Sequence, residues 1–225
     1  MTNMNLIKRD KKMKKLIYNL VIIVIFLYSC EKEEKFSDFP VTLYENKITH
    51  ISNVRLFVGK TKISDKETID KFIKDEEWFQ VPNDVEPDYD EIYFYSEDSV
   101  KIYTQSFSVR KKDKQFLFYS SRFIQTIGSQ DIIRSLMKYT SELLIPIPSP
   151  SGDLYATNEV RVGYGSYTNL EMCFVAYKIR KWGGNWYSGA GTFINEFNEE
   201  AINTLQPLDT LAIMEYRIKF TAHTE

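Results

Sequence analysis

Cysteine and histidine are scarce in this chain: each occurs only twice among 225 residues. Two cysteines cannot form the disulfide framework that stabilises small secreted domains. The histidines, His50 and His223, belong to no metal-spacing or nucleophile motif. Glycine is also modest, with nine residues, and Gly163-Tyr164-Gly165 lacks the rest of a dinucleotide fingerprint. The sequence therefore predicts no cofactor and indicates no catalytic machinery of a familiar kind.

A long hydrophobic run is missing as well. The apolar stretch from Leu16 to Leu27 has twelve residues and is interrupted only by Tyr18 and Asn19. As a helix it would span about 18 Å, whereas a bilayer core needs about 30 Å. Six of the 29 Lys and Arg residues precede this stretch. A basic segment followed by a short apolar one is typical of a signal peptide, predicted here as residues 1–29. Translation from either Met1 or Met13 is compatible with this layout.

The stretch Leu27-Tyr28-Ser29-Cys30 resembles a bacterial lipobox, although Tyr28 stands where a smaller residue is usual. The resemblance implies that Cys30 becomes the mature N-terminus and carries several acyl chains, palmitate among them. Several chains anchor a protein stably, whereas one binds a membrane only marginally. An ordinary signal peptide that ends near a chance cysteine is the alternative.

Charged residues begin directly after Cys30. Lys32, Glu33 and Glu34 resemble the surface-export signal of Bacteroidota lipoproteins, a lysine followed by two acidic residues. This resemblance implies an outer-membrane lipoprotein that faces the cell surface. The alternative is a generic charged tether over residues 30–40, with the protein facing the periplasm.

The net charge changes once the signal peptide is removed. Residues 1–29 hold six of the 29 basic and one of the 31 acidic side chains, which leaves the remainder a net charge of −7. A nucleic-acid binder needs a basic stripe, so nucleic acid is not an expected partner. The cysteine left inside the domain, Cys173, lies in the apolar run 172–176 and is expected to be buried and inert.

Residues 41–225 are predicted to form one globular domain of the α+β class. Its sheet should be largely antiparallel, as a curved sheet or partial barrel with two to three helices packed on it. Strands are predicted at 51–58, 91–95, 100–109, 115–119, 160–164, 170–182, 186–193 and 211–221, from alternation and aromatic content. The apolar phase slips within 100–109, which predicts a bulge or a bend. Residues 91–100 loosely resemble the first hairpin of bacterial lipocalin-like lipoproteins.

Three helices are predicted from capping residues and apolar spacing. The first begins at Ser64, in a capping box with Glu67, and continues to about Glu76. The second begins after Ser129 and buries a stripe that includes Ile133, Leu136, Met137 and Leu144. The third is short and begins after Asn195.

Acidic residues cluster at 84–91: Asp84, Glu86, Asp88, Asp90 and Glu91. Clustered carboxylates suit calcium, which takes six to eight oxygen ligands in flexible geometry. The glycine and final spacing of an EF-hand loop are missing, however, and a solvated acidic loop explains the cluster as well. A glycosidase would need two acids held rigidly at a fixed distance, which a loop beside prolines does not favour.

Aromatic residues surround a glycine turn at 182–187. Trp182, Trp186 and Tyr187 could stack on sugar faces while Asn185 hydrogen-bonds a hydroxyl group. The alternative is that these rings complete the core of the sheet, as aromatic residues in strands usually do. Glycan contact at this hairpin is therefore a hypothesis.

The sequence favours a non-catalytic binding or accessory module that is held at the membrane by its lipid. The expected partners are a glycan, a peptide or an envelope protein. Two alternatives stay open: a structural subunit of an envelope complex, and a hydrolase that uses the carboxylates of residues 84–91.

Overall fold

A computed structural model describes residues 38–74, 91–126, 133–141, 145–147, 154–181 and 187–222. Most of these residues lie in antiparallel strands, which we number in chain order: β1 Val41–Ile51, β2 Arg55–Val58, β3 Thr61–Ile63, β4 Glu91–Ser96, β5 Ser99–Ile102, β6 Gln105–Lys112, β7 Gln115–Thr126, β8 Ile145–Ile147, β9 Leu154–Ser166, β10 Asn169–Lys181, β11 Tyr187–Phe193 and β12 Thr210–Thr221. Helix α1 spans Lys66–Ile73, and a 3₁₀ helix spans Glu199–Thr204.

Eight of these strands close into a barrel. The pairing runs in the order β10, β9, β7, β6, β5, β4, β1 and β12, and β12 pairs again with β10. Closure leaves these strands without a free edge in the barrel, which removes the usual template for edge-to-edge aggregation. The predicted antiparallel sheet with barrel character is therefore confirmed. The lipocalin-like resemblance remains a prediction.

The barrel interior is filled by aromatic side chains. Phe94, Phe116 and Phe118 are fully buried. The ring of Phe94 lies 6.1 Å from that of Phe116 and 6.3 Å from that of Phe118, while Phe116 and Phe118 stack at 5.9 Å. Tyr167, in the β9–β10 turn, packs edge-on against Phe94 at 5.2 Å. Eight strands leave an interior just wide enough for side chains to fill, and these rings occupy it.

A second, smaller sheet continues from the barrel. β10 and β12 extend beyond it and pair with β11 and β2 respectively, giving the order β11-β10-β12-β2-β3, which we call the extension sheet. One face of this sheet is covered by the 3₁₀ helix and by a short segment around Leu136. The buried cluster beneath this cover consists of Phe57, Leu136, Val175, Tyr177, Ile179, Phe193, Phe197, Ala201, Leu205, Leu211 and Ile213.

Short helical segments make the α+β class only a loose match. Helix α1 is capped by Asp65, whose carboxylate accepts a hydrogen bond from the Thr68 amide at 2.8 Å, so the predicted cap at Ser64 is wrong by one residue. The 3₁₀ helix is capped by Asn198, whose side chain accepts from the Glu200 amide, and not by Asn195.

The helix expected to begin after Ser129 is helical only over 133–136 among the described residues. Met137 instead forms a β-bridge with Phe197, and this pairing ends the helical hydrogen bonding. Leu136 is buried as expected, at 1% exposure, and Ile133 and Met137 pack against its cluster. Leu144, the last residue of the predicted stripe, lies outside the described residues.

Two strand predictions also change. The phase slip within 100–109 marks a tight hairpin rather than a bulge, because Tyr103 adopts a left-handed φ of 56° and turns β5 into β6. The predicted strand 51–58 is two strands. The break falls at Ser52, whose amide donates to the Glu215 carbonyl at 2.8 Å while its hydroxyl accepts from the Glu215 amide at 2.9 Å.

Replacing Leu136 by alanine should destabilise the protein, because it opens a cavity under the cover of the extension sheet. The expected loss is about 2–5 kcal/mol in the free energy of unfolding, measured by urea denaturation of the purified chain. Leu208→Ala is the matched control, since Leu208 is 58% exposed and should cost close to nothing. Equal losses in the two variants would show that Leu136 is not a core residue.

Candidate functional site

A pocket of about 300 Å³ lies on the outer surface of β10 and β12, where the barrel meets the extension sheet. Cys173, Glu215 and Arg217 point to this side, opposite to the barrel-facing Met172 and Ile218, because paired and alternate residues share a face. The cover of the extension sheet supplies the facing wall. The lining comprises His50, Lys138, Cys173, Phe174, Asn195, Glu196, Phe197, Glu199, Glu215, Tyr216 and Arg217.

Asn195 fixes the loop that forms this facing wall, residues 194–198 between β11 and the 3₁₀ helix. Its side chain is 1% exposed and makes four hydrogen bonds. The amide nitrogen donates to the carbonyls of Tyr139 at 2.8 Å and Val160 at 2.7 Å. The amide oxygen accepts from the backbone N–H groups of Tyr139 at 3.1 Å and Glu196 at 2.8 Å. Because every group of this buried amide is paired, the loop is joined firmly both to residue 139 and to barrel strand β9.

Glu196 is held by hydrogen bonds on both carboxylate oxygens. Tyr164 donates its hydroxyl to Oε1 at 2.6 Å, and the Lys138 ammonium donates to Oε2 at 2.7 Å. Gln115 donates from Nε2 to the hydroxyl of Tyr164 at 3.0 Å and to that of Tyr139 at 2.8 Å. This network connects the loop to the barrel through side chains from β7 and β9.

The network shifts the pKa values of its members. Burial raises the pKa of Glu196, but the hydrogen bonds from Lys138 and Tyr164 outweigh burial and hold it below the ordinary range. The hydrogen bond to Glu196 raises the pKa of Lys138. Burial, together with the neighbouring Glu196 carboxylate, raises the pKa of Tyr164. At neutral pH these groups are therefore a carboxylate, an ammonium and a neutral phenol.

Arg55 holds the two other acidic residues of the pocket. Its guanidinium pairs with Glu199 and, at 2.6 Å from Nη2 to Oε2, with Glu215. The same guanidinium lies 5.1 Å from the centre of the Phe197 ring. The second oxygen of Glu215 accepts a longer bond, 3.4 Å, from the Phe197 amide. Arg55 thus joins β2, β12 and the loop without lining the pocket itself.

Arg217 lies at the middle of the pocket floor. Its cross-strand neighbours in the sheet are Cys173 of β10 on one side and His50 of β1 on the other. Its guanidinium lies 5.4 Å from the centre of the Tyr164 ring, and its ion pair with Glu171 measures 3.8 Å, longer than a hydrogen bond. The side chain is 43% exposed. With respect to the described residues, Arg217 therefore faces the pocket with unused donors.

Cys173 is buried at 4% exposure, as the sequence predicts. Burial raises the pKa of its thiol to about 12, and the nearby Arg217 lowers it by less than burial raises it. The thiol is therefore protonated at neutral pH and is not the thiolate that nucleophilic chemistry requires.

A further arginine lies on the interior face of the barrel. Arg161 shares the interior face with Phe118, and its Nε donates to Glu159 at 2.7 Å. Its Nη1 is buried and has no hydrogen-bond partner among the described residues. The guanidinium lies over the Phe107 ring at 4.6 Å, and the aromatic face stabilises its charge in place of a hydrogen bond. We interpret Arg161 as part of the core.

Of the residues that the sequence nominated as a ligand site or metal site, only Glu91 and the backbone of Tyr187 lie in the described part of the chain. Glu91 opens β4 and is exposed, and Tyr187 opens β11. The remaining nominated residues lie outside the described residues: Cys30, Lys32, Glu33, Glu34, Asp84, Glu86, Asp88, Asp90, Trp182, Asn185 and Trp186. Their proposed roles stay predictions. Of the two histidines, His50 borders the pocket and His223 is also outside the described part.

Two further observations concern the described ranges only. No three His, Cys, Asp or Glu side chains come together there in a way that could hold a metal ion. No helix in those ranges combines the length and apolar character needed to cross a membrane.

Replacing Glu196 by glutamine should reduce stability at neutral pH and matter less in acid. A carboxylate whose pKa is lowered by folding stabilises the protein above its ordinary pKa of about 4.3, and this contribution is lost as the pH falls through the lowered value. The stability difference between wild type and Glu196→Gln, measured by urea denaturation from pH 7 to pH 3, should therefore shrink.

Glu200→Gln is the control, because Glu200 is an exposed residue of the 3₁₀ helix. Its stability difference should be small across the same pH range. A difference for Glu196→Gln that does not change with pH would contradict the assigned role of the carboxylate.

Comparison with known proteins gives no match to this chain. No protein-family model, no curated protein and no solved structure matches it.

Proposed function

We propose that this protein is a lipid-anchored binding protein of the outer membrane, facing the cell surface, whose pocket takes a small polar ligand. The observation that carries the proposal is the pocket of about 300 Å³, whose charged lining is positioned by hydrogen bonds within the protein. Side chains that are already ordered lose little further freedom when a ligand binds. The volume is that of a small-molecule site.

The lining supports binding rather than catalysis. A cysteine nucleophile needs a base within about 3.2 Å, and among the described residues His50 is the imidazole that lines this pocket. His50 and Cys173 pair with Arg217 from opposite sides, so they are separated by two strand spacings, about 9.6 Å. Glu196 already accepts hydrogen bonds on both oxygens and serves to hold the loop.

The proposed anchor would hold the start of the domain close to the membrane. The first described residue, Asp38, follows Cys30 by eight positions, and eight residues span at most about 28 Å even when fully extended. A domain held on so short a segment stays near the lipid surface and meets ligands there. Glycan contact by the aromatic residues at 182–187 would suit the same location. The structural-subunit and hydrolase alternatives remain hypotheses from the sequence.

The anchor is tested by metabolic labelling of cells with an alkyne fatty acid, followed by capture of the tagged protein. Wild type should carry the label and Cys30→Ser should lose it. Cys173→Ser provides the matched control, because Cys173 is the other cysteine of the chain and should leave labelling unchanged. Label retained in Cys30→Ser would overturn the lipoprotein assignment.

The pocket is tested with a rim substitution that blocks it and leaves its charged network in place. His50 is exposed at the edge, so His50→Trp should cover the opening without disturbing the core. Lys47→Trp adds the same ring at another exposed position of β1. Saturation-transfer NMR on the full chain in detergent, with a panel of neutral sugars, amino sugars, uronic acids and amino acids, measures binding.

We expect at least one compound of the panel to bind wild type and Lys47→Trp, with the signal lost in His50→Trp. Binding that His50→Trp leaves intact would place the ligand elsewhere. The absence of binding by every compound of the panel would count against the proposed function.

A further inference from the structure

The hydrogen-bonding capacity that remains unused in the pocket identifies the kind of ligand it fits. The acidic residues have few oxygens that are still free to accept a hydrogen bond. Both oxygens of Glu196 and both oxygens of Glu215 accept hydrogen bonds from within the protein. Glu199 keeps one oxygen outside its pair with Arg55, but its side chain is 61% exposed at the rim.

The cationic residues retain donors. Among the described residues, the guanidinium of Arg217 donates no hydrogen bond, and its ion pair with Glu171 is 3.8 Å long. A guanidinium carries five N–H donors in a rigid fork that matches a carboxylate. Lys138 is 52% exposed and directs its ammonium to Glu196 and Tyr139.

Arg217 is also central. It lies between His50 and Cys173 on the pocket floor, and the Tyr164 ring at 5.4 Å supports its guanidinium plane. Tyr164 is in turn fixed by Glu196 and Gln115. The arginine therefore has a supported position and an open hydrogen-bonding edge, which is the arrangement that bidentate recognition requires.

We infer that the pocket binds a small hydroxylated monoanionic carboxylate, with Arg217 as the residue that recognises the carboxylate group. The inference rests on the proposed function and specifies its ligand class. A single negative charge fits better than two, because Glu196, Glu199 and Glu215 line the same pocket and repel a dianion. The free oxygen of Glu199 suits a ligand hydroxyl group at the rim.

Three sugars of similar size and different charge test this inference: glucuronate, glucose and glucose 6-phosphate. Their affinities are measured by isothermal titration calorimetry on the full chain in detergent at low salt. Glucuronate should bind more tightly than the other two. Arg217→Gln should weaken the affinity for glucuronate by about tenfold or more, since hydrogen bonds to charged groups are stronger than those between neutral groups. Arg217→Lys, which keeps the charge and loses the fork, should bind with intermediate affinity.

Arg180→Gln is the matched control, because Arg180 is an exposed arginine on the same strand pair as Arg217 and does not line the pocket. It should leave glucuronate binding unchanged. Equal binding of glucose and glucuronate, or no effect of Arg217→Gln, would overturn the assignment to anions. Tighter binding of glucose 6-phosphate would overturn the assignment to carboxylates.

The outcomes separate this inference from the proposed function. A neutral or cationic compound that binds wild type and is blocked by His50→Trp would leave the pocket function standing and overturn the anion assignment. Failure of every compound, charged or neutral, to bind wild type would count against both.

Discussion

The ladder between β10 and β12 is the constraint on which the other features depend. Twelve residue pairs join Asn169–Arg180 to Thr210–Thr221, and both sheets share these two strands. In the barrel half, Met172 and Ile218 face the barrel interior. In the extension half, Val175 and Ile213, on the opposite face, lie under the cover formed by the 3₁₀ helix. The buried side of the ladder therefore changes along its length.

The pocket lies where that change occurs. Near Cys173 the outer face of the barrel ceases to be exposed to solvent, because the cover of the extension sheet begins there. Charged side chains such as Glu215 and Arg217 belong to the outer face of a barrel, and here the cover partly encloses them. Carboxylates in such a place need partners, and Lys138 and Arg55 supply them to Glu196 and Glu215.

Local charge at the pocket differs from the charge of the whole molecule. The chain after the predicted signal peptide is acidic, yet Glu196 and Glu215 accept hydrogen bonds from within the protein on both oxygens. Among the described residues, the guanidinium of Arg217 donates none. Recognition depends on which donors and acceptors remain open, and net charge does not report this. An anionic ligand is therefore compatible with an acidic protein.

Most strands could be predicted because alternation and aromatic content act locally. The apolar run 172–176 lies in the predicted strand 170–182, and it is continuous because its residues are buried on both faces of the sheet. The predictions fail where distant residues decide. Glu215 breaks the strand at Ser52, and Phe197 ends the helix at Met137. Tyr103 turns a hairpin without the glycine that usually signals one.

The pocket could not be predicted, because its residues come from separate strands and loops and form no motif. Asn195 shows the difficulty: its position after a strand resembles a helix cap, and its actual role appears only when the carbonyls of Tyr139 and Val160 are brought to it. His50 lines the pocket, yet it belongs to no sequence motif that singles it out.

The most direct test of the central claim is to observe Arg217 itself while a carboxylate binds. Two-dimensional NMR can follow the arginine Nε–Hε groups during a titration with glucuronate. The Arg217→Gln and Arg180→Gln variants assign the two resonances. The account predicts that the Arg217 resonance shifts with saturation while the Arg180 resonance does not. An unchanged Arg217 resonance at a glucuronate concentration that saturates the protein would contradict it.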